Sequence, residues 1–304
     1  MKKLTSLFIA LFSLVWLTGA GWLPLASSIS YIGAADAVIN PTACYSLMAC
    51  NSAKRGTKVA NICNSTGGVD VGCADLSSDA ITGNLVSATV SGIACPGANC
   101  TIKIWYDQIG SACTGPCDAT QATVATRPTL TTSCGSLGKA FCAAFSGSQF
   151  LQTANLGSSI SLPITFSSVA IHTGSGAIHA IVGGALANDA EMFFNSVANQ
   201  AGVFANNAFA VNAATDNAWH ALQGIEQVSS GIMNVDGSNG SASGGATSAL
   251  SSGNGILLGS DSFAEKLIGS VAEVLIYPIA FSTPGNSVTM CHNQFTRWGT
   301  LTSC

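Results

Sequence analysis

The chain has 304 residues, of which 48% are hydrophobic and 8% are charged, and its 10 basic and 14 acidic side chains give a net charge of −4. This length is ample for one large domain with a continuous core. The sequence contains no basic run, which argues against a nucleic-acid partner. A surface made mostly of Ser, Thr, Asn, Gln and Gly is compatible with an uncharged polymer such as a polysaccharide.

The beginning of the chain has the pattern of a secretory signal peptide. Two lysines precede an apolar run over residues 4–17, and small residues follow it. The run is short for a membrane-spanning helix, and an uncleaved membrane anchor is the alternative. Cleavage between residues 20 and 37 would fit the pattern, so we predict a leader within 1–37 and a single domain over 38–304. That domain is expected to be secreted, to the medium, the periplasm or the cell surface, with no membrane attachment after cleavage.

All twelve cysteines follow this segment, and an even number in a secreted chain indicates disulfides. They occur as neighbouring pairs, which favours short loops closed by local bridges, although sequence alone leaves the connectivity open. A zinc site would need twin short-spaced thiolate pairs, which these spacings do not offer. The predicted pairs are Cys44–Cys50, Cys63–Cys73, Cys95–Cys100, Cys113–Cys117, Cys134–Cys142 and Cys291–Cys304.

Short segments of alternating apolar and polar residues recur between turn residues, as expected for half-buried strands. The first clear example is 101–106, and a ladder of further candidates extends over 166–277, where Pro278 ends the last of them. A clear helical spacing of apolar residues occurs only in 286–298. The pattern predicts an all-β fold, a jelly-roll sandwich with short disulfide-closed loops and a short C-terminal helix.

Several of these strand candidates also carry motifs. Trp219 is followed by His220, a Val-Asp-Gly turn occupies 235–237, and 268–277 alternates cleanly from Ile to Tyr. Together they resemble the closing half of laminin-G-like domains, which have the concanavalin A-like jelly roll. The resemblance covers roughly 166–282 and implies a fold more than a site.

A sharper block lies at residues 95–110, where a short cysteine loop leads into a strand and a polar turn. It resembles the catalytic domain of the α-L-arabinofuranosidase B family, which implies a glycan as the partner. The Trp-Tyr-Asp-Gln part of the block also occurs in bacterial and phage surface proteins. The matching positions are Cys95, Cys100, Tyr106, Asp107, Gln108 and Gly110.

The resemblance also implies where catalytic groups would lie. A retaining glycosidase needs two carboxylates about 5 Å apart. The family's acid/base follows an Ile-Leu-Gly strand, which points to Asp261 here. The family's nucleophile precedes an Asn-Asn pair, and Ala205 occupies that place in this sequence. An alanine side chain cannot attack an anomeric carbon. Glu191 is a carboxyl that could take over this role if the fold brings it to Asp261.

We therefore predict a carbohydrate-binding protein related to arabinofuranosidase catalytic domains but without the family nucleophile. The predicted sugar-binding residues are Trp105, Tyr106, Gln108 and Asp261. One alternative is an active α-L-arabinofuranosidase, a retaining glycoside hydrolase that acts on arabinose-containing polysaccharide through Asp261 and Glu191. The other is a structural protein of a cell or virion surface.

No cofactor or resident metal is expected. Asp236, Asn239 and Asp261 could offer oxygen ligands to Ca²⁺, as in jelly-roll lectins, but no fixed loop spacing supports such a site. The four histidines are scattered, with no nucleophile nearby that suggests a catalytic triad, and are expected to be structural.

Overall fold

The computed structural model of the protein is almost entirely antiparallel β-sheet, with one longer helix near the C-terminus. It confirms the predicted all-β jelly-roll sandwich. Among the described residues, no helix has the length and apolar character needed to cross a membrane. The predicted leader up to residue 30 lies outside the described residues. The described ranges are 31–85, 100–110, 112–132, 134, 141–176, 178–206, 208–240, 250–282, 285–299 and 304.

The strands and helices have the following bounds in chain order: α1 (Ala34–Ala37), β1 (Ala43–Ser46), β2 (Lys58–Thr66), β3 (Val69–Ser77), β4 (Cys100–Trp105), β5 (Ala119–Thr120), β6 (Thr129–Thr131), β7 (Cys142–Ser146), β8 (Leu151–Gln152), β9 (Ile164–His172), β10 (Ile178–Gly184), β11 (Glu191–Asn195), β12 (Gln200–Ala205), β13 (Ala208–Ala213), β14 (Trp219–Glu226), β15 (Gly231–Val235), β16 (Ser238–Asn239), β17 (Ile256–Leu258), β18 (Ile268–Tyr277) and α2 (Gly285–Trp298).

The first sheet is built around β9, which pairs with β14 on one side and β18 on the other. β15 continues the sheet beyond β14, while β1 and β7 pair one after the other along the far edge of β18. Nearly every residue of β9, β14 and β18 is buried. Burial of successive residues means that both faces of this sheet are covered.

The second sheet has the order β13, β12, β11, β10, β17, β8. It packs on the first sheet, because a Cβ placed on Gly224 of β14 would lie 2.9 Å from the side chain of Val203 in β12. Neighbouring residues of a strand point to opposite faces. Val203 therefore faces the interior of the sandwich, and Phe204 faces outward. β5, β4 and β6 connect β8 to β7 and link the two sheets, with β2 beside β4 and β3 beside β2.

Helix α2 covers the outer face of the first sheet. Gln294 donates a hydrogen bond to Ser167 of β9 at 3.1 Å and accepts one from Gln223 of β14 at 3.2 Å. Met290 belongs to a buried cluster with Ala34 of α1. Residue 34 precedes the predicted domain boundary at residue 38, so the packed core begins upstream of that boundary.

Five of the predicted disulfides are confirmed, and each closes a short loop. Cys95 lies outside the described residues, so its pairing with Cys100 stays a prediction. No cysteine is free in the part of the chain that the structure describes. The five observed bridges are Cys44–Cys50, Cys63–Cys73, Cys113–Cys117, Cys134–Cys142 and Cys291–Cys304.

Candidate functional site

Three carboxyl groups, which we call the acid cluster, meet beside the second sheet: Glu191, Asp261 and Glu265. One oxygen atom of each lies within 4.8 Å of the corresponding atoms of the other two. Glu191 begins β11, and the other two belong to the loop after β17. Glu191 and Asp261 are only 5% and 3% exposed. The fold thus brings together the two carboxyls that the sequence suggested as a catalytic pair.

The loop that carries Asp261 is shaped by its own carboxylate. Oδ1 of Asp261 accepts hydrogen bonds from the backbone N–H groups of Phe263 at 3.0 Å and Glu265 at 2.8 Å. The turn also needs two left-handed residues, Gly259 with φ 76° and Ala264 with φ 62°. The backbone bonds leave Oδ2, which is buried and receives no hydrogen bond from a donor of the described residues.

Burial and like charge control protonation in the acid cluster. Burial, followed by the neighbouring carboxyl of Asp261, holds the pKa of Glu191 well above its usual range. Burial and then Asp261 also raise the pKa of Glu265. Glu191 therefore keeps its proton to a higher pH than an ordinary glutamate does. A protonated carboxyl beside another carboxyl is an arrangement that acid–base enzymes use.

A cavity of about 460 Å³ opens over Glu191 and Glu265. Phe209 and Phe263 form its rim and are 55% and 54% exposed. The lining combines phenylalanine rings, aliphatic side chains and amides with these acids, and it contains no cationic side chain. The rings and amides are those of Phe193, Phe204, Phe209, Phe263, Asn195 and Gln200.

The register of the second sheet assembles this cavity. Glu191 lies opposite Phe204 in the β11–β12 pair, and Phe204 lies opposite Phe209 in the β12–β13 pair. The three side chains therefore form a row across the outer face. Gly202 leaves room for the ring of Phe193, since a Cβ there would lie 2.4 Å from a ring carbon.

Ala205 is the position matched to the nucleophile of the resembled family. It follows Phe204 directly, is fully buried and points to the opposite face of β12. A carboxylate at this position would point into the sandwich rather than into the cavity. The carboxyl that this sheet presents to the cavity is Glu191.

The aromatic and amide residues predicted to bind sugar lie elsewhere. Trp105 is fully buried and Gln108 is 4% exposed. The amide of Gln108 makes hydrogen bonds of 2.8–2.9 Å with three backbone groups in residues 46–50. Tyr106 donates its hydroxyl proton to Asp75 at 2.6 Å. None of the three lines the cavity.

Of the residues suggested for Ca²⁺, Asp236 has both carboxylate oxygens engaged in hydrogen bonds. The carboxylate of Asp236 is bonded to His220 at 2.7 Å and to the backbone N–H of Ala221 at 2.9 Å. Apart from the acid cluster, the described residues contain one group of three possible ligands, and it includes Cys63 and Cys73. These two cysteines form a disulfide and are not free to bind a metal. The acid cluster is therefore the one described group whose three ligand atoms remain available.

The sheet order and the packing of two layers define a β-sandwich of the jelly-roll type. Among solved structures the chain is similar to a GH54 α-L-arabinofuranosidase soaked with 4-nitrophenyl α-L-arabinofuranoside, with a TM-score of 0.65 and 13% identity over 89% of this chain and 66% of that one. An arabinofuranosidase complexed with arabinofuranosyl-α-1,2-xylobiose gives a TM-score of 0.61 at 13% identity, over 88% and 66% of the two chains. The chain thus spans 66% of the length of these proteins, and the likeness establishes the fold. The sequence matches no protein-family model and no curated protein.

Proposed function

We propose that the protein is a secreted carbohydrate-binding protein that holds an arabinofuranosyl glycan in the phenylalanine-lined cavity over the acid cluster. The row of Glu191, Phe204 and Phe209 carries the proposal. Ring faces can cover the C–H surface of a sugar, while carboxyl and amide groups bond its hydroxyls. The arabinofuranosides bound by the similar structures support the choice of ligand.

The disulfides and the predicted leader support secretion. The buried position of Ala34 favours a cleavage site upstream of that residue. We therefore propose cleavage after residue 20 or 26 and a single domain that includes α1. N-terminal sequencing of the mature protein tests this proposal.

Calorimetric titration with arabinofuranosyl oligosaccharides tests the site. Phe209→Ala removes an exposed ring from the rim of the cavity and is expected to weaken binding about tenfold, since about 1.4 kcal/mol of lost contact corresponds to that factor. Phe295→Ala is the matched control, because Phe295 is 38% exposed and lies on α2. It should leave affinity unchanged. Absence of binding to these probes and to a glycan array would overturn the proposal and favour a structural role at a cell or virion surface.

A second function, glycoside hydrolysis, is favoured by one observation: Glu191, which lines the cavity, has a carboxyl oxygen within 4.8 Å of one of Asp261. One carboxyl of the pair Glu191 and Asp261 would donate its proton to the glycosidic oxygen while the bond between that oxygen and the anomeric carbon breaks. The other carboxyl, which is ionised, would form an ester bond to the anomeric carbon. Water would then cleave this ester and restore both carboxyls. Retaining enzymes keep the two groups about 5 Å apart, and the carboxyl oxygens of Glu191 and Asp261 lie within 4.8 Å of each other.

Release of 4-nitrophenol from 4-nitrophenyl α-L-arabinofuranoside tests hydrolysis. Asp261→Asn and Glu191→Gln should each abolish the release, whereas Asp79→Asn, at a half-buried carboxyl that does not line the cavity, should retain it. Binding without release by the wild-type protein would leave carbohydrate binding as the function.

A further inference from the structure

A second cavity, of about 300 Å³, lies on the other side of the loop that carries the acid cluster. This cavity is lined by three residues of the loop, Ser262, Ala264 and Lys266. The two residues that alternate with them, Phe263 and Glu265, line the first cavity. Asp261 also lines the second cavity, and Glu191 lines the first. The carboxyl oxygens of Glu191 and Asp261 lie within 4.8 Å of each other, so this pair stands between the two cavities.

The second cavity is more polar than the first. The ammonium group of Lys266 lies 4.5 Å from the ring centroid of Phe150. None of the ion pairs formed by described residues includes Lys266. Gln152 is exposed, and Ser262 is half-buried beside it in the same lining. An ammonium, an amide and a hydroxyl group offer both donors and acceptors to the oxygens of a sugar.

We infer that the second cavity is a subsite for the neighbouring sugar unit of an oligosaccharide, so that the glycosidic oxygen between the two units lies at the acid cluster. The inference rests on the proposed carbohydrate-binding function. In this arrangement one sugar unit occupies each cavity. The preferred ligand is therefore an oligosaccharide or a glycan branch rather than a free sugar. If the protein hydrolyses its ligand, Lys266 and Gln152 hold the unit that leaves.

The test compares a one-unit probe, methyl α-L-arabinofuranoside, with arabinotriose by calorimetric titration of the full mature protein. Wild-type protein should bind arabinotriose at least tenfold more tightly. Lys266→Met keeps the aliphatic stem against Phe150 and removes the charge, so most of this tenfold advantage should disappear while affinity for the methyl glycoside stays the same. Gln152→Ala, at an exposed side chain, should reduce the same advantage by a smaller factor. Lys54→Met, at a half-buried lysine that lines neither cavity, is the control and should change neither affinity.

The outcomes separate this inference from the function on which it rests. Equal affinity for the two probes, unaltered by Lys266→Met, overturns the second subsite and leaves sugar binding in the first cavity intact. No measurable affinity for either probe overturns both proposals. Loss of affinity for both probes in Lys266→Met also contradicts the inference, because it would mean that the lysine acts on the first sugar unit.

Discussion

Glu273 and Glu191 are both buried carboxyls on strands of the sandwich, yet their surroundings are opposite. Glu273 is fully buried, and its Oε2 accepts hydrogen bonds from Arg297 at 2.7 Å and from Ser46 at 3.0 Å. Gln294 approaches its other oxygen at 3.4 Å. The neighbours that determine the protonation of Glu191 are instead acids, and its pKa is raised by burial and by Asp261.

The comparison of Glu273 with Glu191 shows that the partner of a buried carboxyl, rather than its burial, indicates its role. The charge of Arg297 compensates Glu273, and the resulting ion pair fixes α2 on the first sheet. Glu191 has no such compensation and opens into a cavity, which is the setting in which perturbed carboxyls are functional candidates. Glu226 is a third case, fully buried, with neither oxygen bonded to a described residue and with a pKa raised to about 8 by burial. It lines neither of the two cavities discussed.

Arg297→Met should have the largest effect on stability, because it leaves Glu273 buried without a compensating positive charge, like Glu191 and Glu226. Breaking a buried ion pair costs about 3–5 kcal/mol, and we expect a loss of that size in the free energy of unfolding. Urea denaturation at pH 7 measures it. Glu273→Gln added to Arg297→Met should restore part of the stability, because the buried charge is removed. A loss below about 1 kcal/mol would show that the pair behaves like a surface ion pair.

Glu226→Gln should alter the pH dependence of stability. The folded protein holds the proton of Glu226 up to about pH 8, whereas the unfolded chain releases it near pH 4.5. The carboxyl therefore lowers the free energy of unfolding as pH rises through this window, by about 1.4 kcal/mol per pH unit. Glutamine does not ionise, so the free energy of unfolding of the variant should be about 3 kcal/mol higher than that of the wild type at pH 7.

Urea denaturation of both proteins at several pH values between 5 and 8 provides the measurement. The relevant quantity is the difference between the two, because other groups titrate equally in both. A difference that stays constant over this range would contradict the raised pKa of Glu226.

Ala264→Gly should have the smallest effect and concerns the loop that presents Asp261. Ala264 has a left-handed φ of 62°, which costs an alanine about 1–2 kcal/mol relative to glycine. Part of this gain is offset by the greater freedom of glycine in the unfolded chain. We expect stabilisation by about 0.5–1 kcal/mol, measured as a rise in the thermal midpoint.

Ala187→Gly is the control for this substitution. Ala187 is exposed and is not among the residues with positive φ. Glycine there should slightly destabilise the protein, by about 0.5–1 kcal/mol. If both substitutions shift the midpoint in the same direction, the left-handed backbone of Ala264 carries no strain.

Features that depend on local sequence could be predicted. Alternation in 268–277 and apolar spacing in 286–298 correspond to β18 and α2, whose observed bounds are Ile268–Tyr277 and Gly285–Trp298. Five disulfides join cysteines that are close in sequence. Such patterns report on neighbours along the chain, which is why they identify strands, the helix and short bridges.

The site could be predicted only in part because its geometry depends on contacts between distant strands. The sequence points to Glu191 and Asp261, but it does not indicate the phenylalanine row. Phe204 and Phe209 do occupy outward positions of β12 and β13, yet their alignment with Glu191 comes from a register that sequence does not reveal. Trp105 shows the same difficulty, since alternation in β4 does not tell which face is covered, and its ring is buried.

The position of α2 also determines how the protein can be attached to another surface. Asn293 of α2 donates a hydrogen bond to the carbonyl of Ile32 at 3.0 Å, so the segment entering the sandwich runs along the helix on the outer face of the first sheet. The phenylalanine-lined cavity opens on the outer face of the second sheet. A tether joined at Ile32 would therefore attach the protein on the face opposite the cavity and leave the cavity accessible to a ligand.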